Sequence, residues 1–369
     1  MIRVLLLSTD LERGGLPLRL VALARRLPDR GVRPIVGCLS AAGPLSDELR
    51  TAGIETFSCD GAGRWDPRCL VRLAAEIRRR APDLIHASLF HANLAARLVG
   101  TLDRRRPIIT ATVTIEIERP VHRWLESLTA DRSDAHVANS SAVARHLVQD
   151  LGLSDRLVRV IPNGVDTGAL AAAAPLPRDR LGIAPDAALV VWAGRMDPVK
   201  NLEFLLEVVE RIRMRMRMRR EVVLVLLGDG PQRAALERTV SARGLNEAVR
   251  FEGWSDNVGG WLRTADMLAL PSLTEGSPNV VLEAMACGCA VIASDIPACR
   301  ELIEPQVTGL LRSPAAVGPW VEAIATLAAD PSLRLRLAAA ARRKVGEGHE
   351  LSAVVDRWVR LYGSLLGRE

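Results

Sequence analysis

The strongest constraint on this chain is a rhythm that it runs through twice: short apolar runs rich in Val, Ile and Leu, alternating with helix-length amphipathic stretches. In the first half the strand-like runs are Arg3–Ser8, Pro34–Cys38, Leu84–Ala87, Ile108–Val113, Ala135–Ala138 and Val158–Ile161. Helical spacing fills the intervals, as over Pro17–Leu27 and Leu70–Arg80. The second half restarts with Leu189–Ala193, Val222–Leu227, Val249–Phe251, Met267–Pro271 and Ala290–Ala293. Near-continuous apolar strands joined by crossover helices are what a parallel sheet covered on both faces requires. The expectation is an α/β chain with two doubly wound, Rossmann-like domains. Ligands of such open sheets bind beyond the carboxyl ends of the strands, so the two domains are expected to face each other across a cleft.

The texture changes after Ile161, through Asn163 and Gly164 to the Ala- and Pro-rich stretch Ala171–Pro177 and then Pro185 and Asp186. That places a linker over 166–186, between a domain over 1–165 and a second over 187–345. With 369 residues, 49% of them hydrophobic, each half has material for its own core. Nowhere do about eighteen consecutive apolar residues occur, so no transmembrane helix is expected. The apolar run at Met1–Ser8 breaks at Asp10, Glu12 and Arg13 with no cleavage site following, and reads as a first strand of a cytoplasmic protein. The six cysteines lack metal-site spacing and read as reduced, buried thiols. A net charge of +6 favours an anionic partner: a nucleotide, a phosphorylated lipid or, peripherally, a membrane face. Nucleic acid is disfavoured, because aromatics are 3% of residues and no basic-aromatic stripe occurs. Of the 49 basic residues only Lys200 and Lys344 are lysine, which marks out a position where a compact ammonium is used instead of a guanidinium.

Three constellations carry chemistry. The segment EGSPNVVLEAMACG, Glu275 to Gly288, directly follows a strand-like run. Ser277 suits an N-cap and Pro278 the first helical position, so a helix is expected from Pro278 to near Gly288. The N–H groups of Asn279 and Val280 would then head a positive dipole end, a place for an anion. Glu275 before this helix and Glu283 in its second turn are too far apart along it to share a proton. Two spaced carboxylates flanking an anion site suit a sugar and a ribose joined by a diphosphate. Taken alone, the same two residues also fit a solvated loop and a helix surface. The second constellation, AGRMDPVKN, Ala193 to Asn201, puts Arg195 and Lys200 around a turn at a strand end, where both could meet charge developing on a leaving phosphate. The third is the Gly14–Gly15 turn after the first strand, with Pro17 expected to open the next helix; paired glycines let backbone approach a phosphate, and a plain tight turn explains them nearly as well. GDG at Gly228–Gly230 resembles half a dinucleotide fingerprint, but Arg233 stands where its third glycine belongs, which counts against a nicotinamide or flavin site.

In order along the chain, PDLIHASLFHANLAARL (Pro82–Leu98), VANSSAV (Val137–Val143), VIPNGVD (Val160–Asp166), AGRMDPVKN, LLGDGP (Leu226–Pro231), FEGW (Phe251–Trp254) and ADMLALPSLTEGSPNVVLEAMACGCAVIASD (Ala265–Asp295) resemble the family 4 glycosyltransferases of the GT-B fold. The resemblance implies a retaining, metal-independent transfer from a nucleoside-diphosphate sugar, with no cofactor beyond that co-substrate. It implies that Arg195 and Lys200 hold the donor diphosphate and that Glu275 contacts the transferred sugar, these three forming the catalytic set. Glu283 would meet the ribose hydroxyls, Gly276, Asn279 and Val280 would supply backbone contacts, and Gly15 would approach the phosphates. A carboxyl-terminal helix within 346–369 would by analogy cross back onto the first domain. The acceptor would be a sugar or a lipid-linked sugar in polysaccharide or glycolipid assembly, with His91, Asn93 and Thr114 as acceptor-side residues. His86, at a strand end, lies in the same region, and a helix-capping or packing role competes with acceptor binding for these residues, His91 and Asn93 included.

One departure concerns Thr114. Many family members carry a histidine just after the strand corresponding to Ile108–Val113, and ATVTIEIERP here places Thr114 there, with no titratable imidazole. A donor-binding, non-catalytic partner subunit is therefore a rival reading, as is a nucleotide-sugar epimerase on the same fold. The run RIRMRMRMRR, Arg211 to Arg220, invites a membrane-binding reading, but its alternation spreads the arginines around a helix and gives no single basic face.

Overall fold

The computed structural model describes residues 1–61, 66–100, 106–114, 120–215 and 221–368. The chain divides into two compact units, Met1–Asn163 with Ser352–Glu369, and Gly164–Leu351. Among the described residues the first unit holds seven strands: β1 (Ile2–Ser8), β2 (Val32–Cys38), β3 (Glu55–Ser58), β4 (Leu84–Ser88), β5 (Ile108–Thr112), β6 (Ala135–Ala138) and β7 (Val158–Val160). All pair in parallel in the order β3-β2-β1-β4-β5-β6-β7. The second unit holds β8 (Ala188–Ala193), β9 (Val222–Leu227), β10 (Val249–Gly253), β11 (Met267–Leu270), β12 (Ala290–Ser294) and β13 (Leu310–Arg312), parallel in the order β10-β9-β8-β11-β12-β13. These are the two doubly wound, Rossmann-like sheets that the rhythm of apolar runs calls for.

The sheets lie where burial on both faces forces them to. Every residue of β9 is buried, and β8 is buried through Trp192, so neither strand shows the alternation of a half-solvated one. Two strands escape the pattern in the sequence, β3 and β13. Both are short edges, paired on one side only, and carry polar residues among their few apolar ones. Helix ends also differ from expectation. The helix after β1 spans Gly15–Arg26 and opens two residues before Pro17, with Gly14 as its N-cap. The helix expected from Leu70 begins at Arg68.

The stretch 166–186, expected as a linker, belongs to the second unit. Asp166 accepts the Ala169 N–H at 2.8 Å and caps a short helix, Thr167–Ala172, while Ile183 is buried in the unit's core. Where the chain enters and leaves this unit its two passages run together: Val165 N–H donates to His349, Leu351 N–H donates to Val165, and Thr167 is bonded to the Glu350 carboxylate. The final helix, Leu351–Leu365, brings Trp358 and Tyr362 into the first unit. His86 of β4 stacks on Trp358 with ring centroids 4.2 Å apart, and its Nδ1 lies 2.7 Å from the Tyr362 hydroxyl. His86 is thus a buried docking residue inside its strand, and burial pulls its pKa down to about 3.

Candidate active site

In each unit the strand order reverses beside the strand that leads it off, between β1 and β4 and between β8 and β11, and the loops leaving those strands flank a switch point. In the second unit these are the loops that carry Arg195 and Lys200 after β8 and Glu275 after β11. Three features fix them against each other. Pro198–Lys200 forms a single 3₁₀ turn that ends at Asn201, whose φ of 56° lies in the left-handed region. The Asn201 amide donates to the carbonyls of Pro271 (3.3 Å) and Pro314 (3.1 Å), and Leu273 N–H donates to Val199 at 2.8 Å. Asparagine combines tolerance of positive φ with a donor side chain, so one residue both turns the loop and ties it to the end of β11.

The consequence is an ion pair between elements 75 residues apart: Lys200 Nζ lies 2.7 Å from Glu275 Oε1, with the side chains 21% and 12% exposed. Arg195 does not join it. Its side chain is 73% exposed and its Nε stands 3.4 Å from the Asp197 carboxylate in the same loop. A half-buried ammonium beside a carboxylate can trade that partner for an incoming anion, and the exposed guanidinium of Arg195, from the same loop, is free of burial that would hold it back.

The GDG motif has a structural account. Gly228 has φ 123°, and a Cβ there would fall on the carbonyl oxygen of Gly194. A Cβ at Gly230 would lie 2.6 Å from Met196 N. Met196 N–H donates to Asp229 at 2.8 Å and Gly194 N–H to Leu227 at 3.0 Å. The glycines therefore let the loop after β9 press backbone to backbone against the loop bearing Arg195. Arg233 is engaged with Asp229 (3.1 Å) and Glu237 (2.9 Å).

The helix after Glu275 spans Asn279–Cys287 and closes on Gly288 at φ 72°. Its cap is displaced from expectation by one residue: Pro278, extended at φ −74° and ψ 105°, is the N-cap, and Ser277 lies outside it. The proline's φ would suit a helix, but its ψ is extended, so the helix opens one residue later and Asn279 and Val280 take the first two helical positions. Glu283 is half-buried in this helix and Gly276 is buried before it.

At the switch point of the first unit lie Gly14 and Gly15 after β1, and His91 after β4. Gly14 is extended at φ −170°, and a Cβ there would meet only Pro17, so the fold itself does not demand glycine. Leu89, between β4 and the helix Phe90–Gly100, has φ 76°, costly for a γ-branched residue, and is held by its N–H to Ala111 and its carbonyl to Asn93. His91 stands edge-on to Phe90 (5.1 Å) and His122 (5.4 Å), and Phe90 stacks on His122 at 3.8 Å. Asn93 is buried with its amide on the Ala111 carbonyl at 3.2 Å, so it fixes the helix to β5 and offers no exposed contact for an acceptor. Thr114 is exposed just beyond β5. Asn139, from the VANSS run, donates to the Val113 carbonyl at 3.3 Å and so holds the residue before it, while Ser140 caps the next helix on Val143 N–H. All six cysteines are buried and free, and burial pushes the thiols up, to about 11 at Cys38 and Cys287 and about 12 at Cys59, away from any nucleophilic role.

The family pattern described as "Glycosyltransferase Family 4" matches residues 13–169, and that described as "Glycosyl transferases group 1" matches 187–330. A D-inositol 3-phosphate glycosyltransferase of Xylanimonas cellulosilytica is 30% identical over 94% of this chain and 91% of its own. This chain belongs to glycosyltransferase family 4. A second relative with the same name, from Kribbella flavida, is 28% identical over 93% of this chain and 89% of its own. Among solved structures, Anabaena HepE in complex with UDP-glucose matches with a TM-score of 0.85 at 23% identity, covering 99% of this chain and all of that one. Sucrose-phosphate synthase from Thermosynechococcus elongatus matches with a TM-score of 0.82 at 20% identity over the whole of both chains. The family 4 chain is thus of the GT-B class in fold, and both family patterns run across its switch-point loops.

Proposed function

We propose that this chain moves a hexose-type unit from a nucleoside-diphosphate sugar to an acceptor hydroxyl, with retention of anomeric configuration and without a divalent metal, in the assembly of a polysaccharide or glycolipid. The observation that carries the reading is the Lys200–Glu275 pair at the switch point of the second unit. Departure of a nucleoside diphosphate puts negative charge on phosphate oxygens, and a fixed ammonium 2.7 Å from a carboxylate needs only a small shift to meet it. Arg195, exposed on the same loop, supplies the second positive charge that a metal would otherwise bring. Glu275, released by Lys200, is left to accept hydrogen bonds from sugar hydroxyls. Glu283 serves the ribose, while Gly276 and the first N–H groups of the helix at Asn279 and Val280 supply backbone contacts. The side-chain-free turn at Gly14–Gly15 suits an anionic group. Attack from the leaving-group face, with the departing phosphate taking the acceptor proton, accounts for retention.

His91 and Thr114 are the acceptor-side residues in this reading, and Asn93 positions the helix that bears His91. The relatives named for D-inositol 3-phosphate and the UDP-glucose complex of HepE make UDP-glucose the first donor to try and a polyol or sugar phosphate the first acceptor class. Thr114 favours one second reading, a donor-binding partner subunit that lacks turnover.

The test is analysis of products by NMR with an α-linked donor and an acceptor panel. An α-linked product made in EDTA supports the reading; a β-linked product overturns retention, dependence on added Mg²⁺ or Mn²⁺ overturns metal independence, and an epimerised donor formed without acceptor would mean an isomerase. Donor binding with no product from any acceptor would assign the partner-subunit role.

A further inference from the structure

Two costly features of the first unit converge on one corner. The helix Pro120–Thr129 is anchored by polar groups: Glu126 is buried with a carboxylate oxygen 2.6 Å from Arg97 Nη2, and Thr129 Oγ1 accepts from Arg97 Nη1 at 3.2 Å. Burial of an apolar stripe places most surface helices, but here a buried ion pair, expensive to desolvate, does so. The second feature is Leu89 at the end of β4, whose φ of 76° is held by its N–H to Ala111 and its carbonyl to Asn93. Leu89 turns the chain into the helix Phe90–Gly100, so that Phe90 and His91 fall in its first turn, and the anchored helix carries His122 in its own first turn. There Phe90 and His122 stack at 3.8 Å, parallel within 5°, and His91 stands at 83° to the one and 87° to the other. All three rings are half-buried, at the ends of β4 and β5 where ligands of doubly wound sheets bind, and Thr114 is exposed just beyond β5. Residues 115–119, between Thr114 and the helix, lie outside the described residues.

We propose that His122 and His91 form a binding corner for the hydroxyls of a neutral cyclic polyol or pyranose. The inference rests on the transferase reading only in making that molecule the acceptor. Stacking covers one face of His122, so its in-plane nitrogens are what the corner offers. An imidazole with one N–H and one bare nitrogen both donates and accepts, as a hydroxyl does. The apolar C–H face of a sugar or polyol ring suits the aromatic side of the same corner. A phosphate only accepts and is best met by a guanidinium. The arginines that these two helices carry nearest the rings are committed elsewhere: Arg97 is buried on Glu126, and Arg123 donates to the Asp150 carbonyl at 3.4 Å. His122 thus joins Thr114 and His91 on the acceptor side, from a helix that the sequence alone did not connect with them. The arginine-rich run 211–220 offers no comparable corner; its helix is described only to Arg215, and the rest lies outside the described residues.

NMR of the full chain labelled at the imidazole Cε1 tests the corner without donor or turnover. The chain has six histidines, and the signals of His91 and His122 are assigned by their loss in His91→Gln and His122→Gln. The probes are glucose, myo-inositol and D-inositol 3-phosphate. Glucose or myo-inositol should shift both signals saturably and leave His146, bonded to Asp150 at 2.6 Å, unmoved. In His122→Phe, which keeps a ring on Phe90 and loses both nitrogens, half-saturation of the His91 shift should need about tenfold more ligand, with the melting temperature kept. His122→Gln, which keeps a donor and an acceptor, should recover part of that loss. Signals that neither neutral probe moves, shifts with the phosphate alone, or undiminished binding in both folded variants would overturn the proposal. Donor binding is measured apart from this: a chain that binds no nucleotide sugar loses the transferase reading, while the ring signals still judge the corner.

Discussion

At the scale of single residues the candidate site holds two paired charged side chains, Lys200 and Glu275, and one residue, Asn201, that places their loops. Glu275→Gln keeps the shape and removes the charge that answers Lys200; turnover should fall by about a hundredfold or more, while the melting temperature stays near that of the parent. Assay and thermal melt on the same preparation check both halves. Asn201 is the placing residue. Asn201→Ala loses two side-chain hydrogen bonds and puts a Cβ without compensation at φ 56°, and should cost about 1–3 kcal/mol in urea denaturation. Asn201→Gly should recover the backbone part alone, and if both variants are neutral the loop is held by something else. That Lys200 and Glu275 both follow strand ends was legible in the sequence, because position after a strand end in a doubly wound pattern is a strong restriction; their 2.7 Å pairing was not. Asn201 and Asn139 were not, since an asparagine that ties two loops looks like any turn asparagine until both loops are seen. Asn93 shows the converse. Its place near a strand end suggested a ligand contact, but which face of a helix turns inward is decided by packing, and packing turned it to Ala111.

At the scale of elements, the parallel sheets follow from apolar runs that are buried on both faces, and the edges β3 and β13 were missed because burial on one side leaves a weaker pattern. In the sequence the GDG loop resembled half a dinucleotide fingerprint that Arg233 counted against, and backbone contact gives its glycines a reason of their own. Gly228→Ala should destabilise the protein by several kcal/mol, since the new methyl would displace the Gly194 carbonyl, and should loosen donor binding by moving the Arg195 loop. Calorimetry of unfolding and of donor binding separates the two effects. The Arg97 network was invisible in sequence, because nothing in NLAARLVG marks its arginine as fully buried. Its guanidinium bonds Ser133, Thr129, Thr110 and Glu126 at once. Arg97→Met leaves Glu126 buried without its partner and should cost about 3–5 kcal/mol in urea, with Arg97→Lys recovering little because a single ammonium cannot reach all four.

At the scale of the whole molecule, two buried histidines link stability to pH. Burial lowers His86 to about 3, and burial together with the nearby Arg97 charge lowers His136 to about 4. In the unfolded chain both take up protons near pH 6.5. The folded form is therefore favoured fully above that value, and its advantage is lost as pH falls toward 4 and then 3. The urea midpoint should drop between neutral pH and about pH 4.5, and His86→Asn should flatten that drop. A midpoint that is unchanged over this window would mean that the rings are wetter than their packing suggests.

In the function proposed, Lys200 and Glu275 form a donor-diphosphate and sugar site that works without a metal. Calorimetric titration with uridine, guanosine and adenosine diphosphate sugars in EDTA, followed by measurement of released nucleoside diphosphate, tests it directly, with Lys200→Ala as the control. Saturable binding of one donor, with slow release of its nucleoside diphosphate and loss of both signals in Lys200→Ala, is the predicted result. Binding that survives in the folded Lys200→Ala variant, or no binding of any donor, would contradict it.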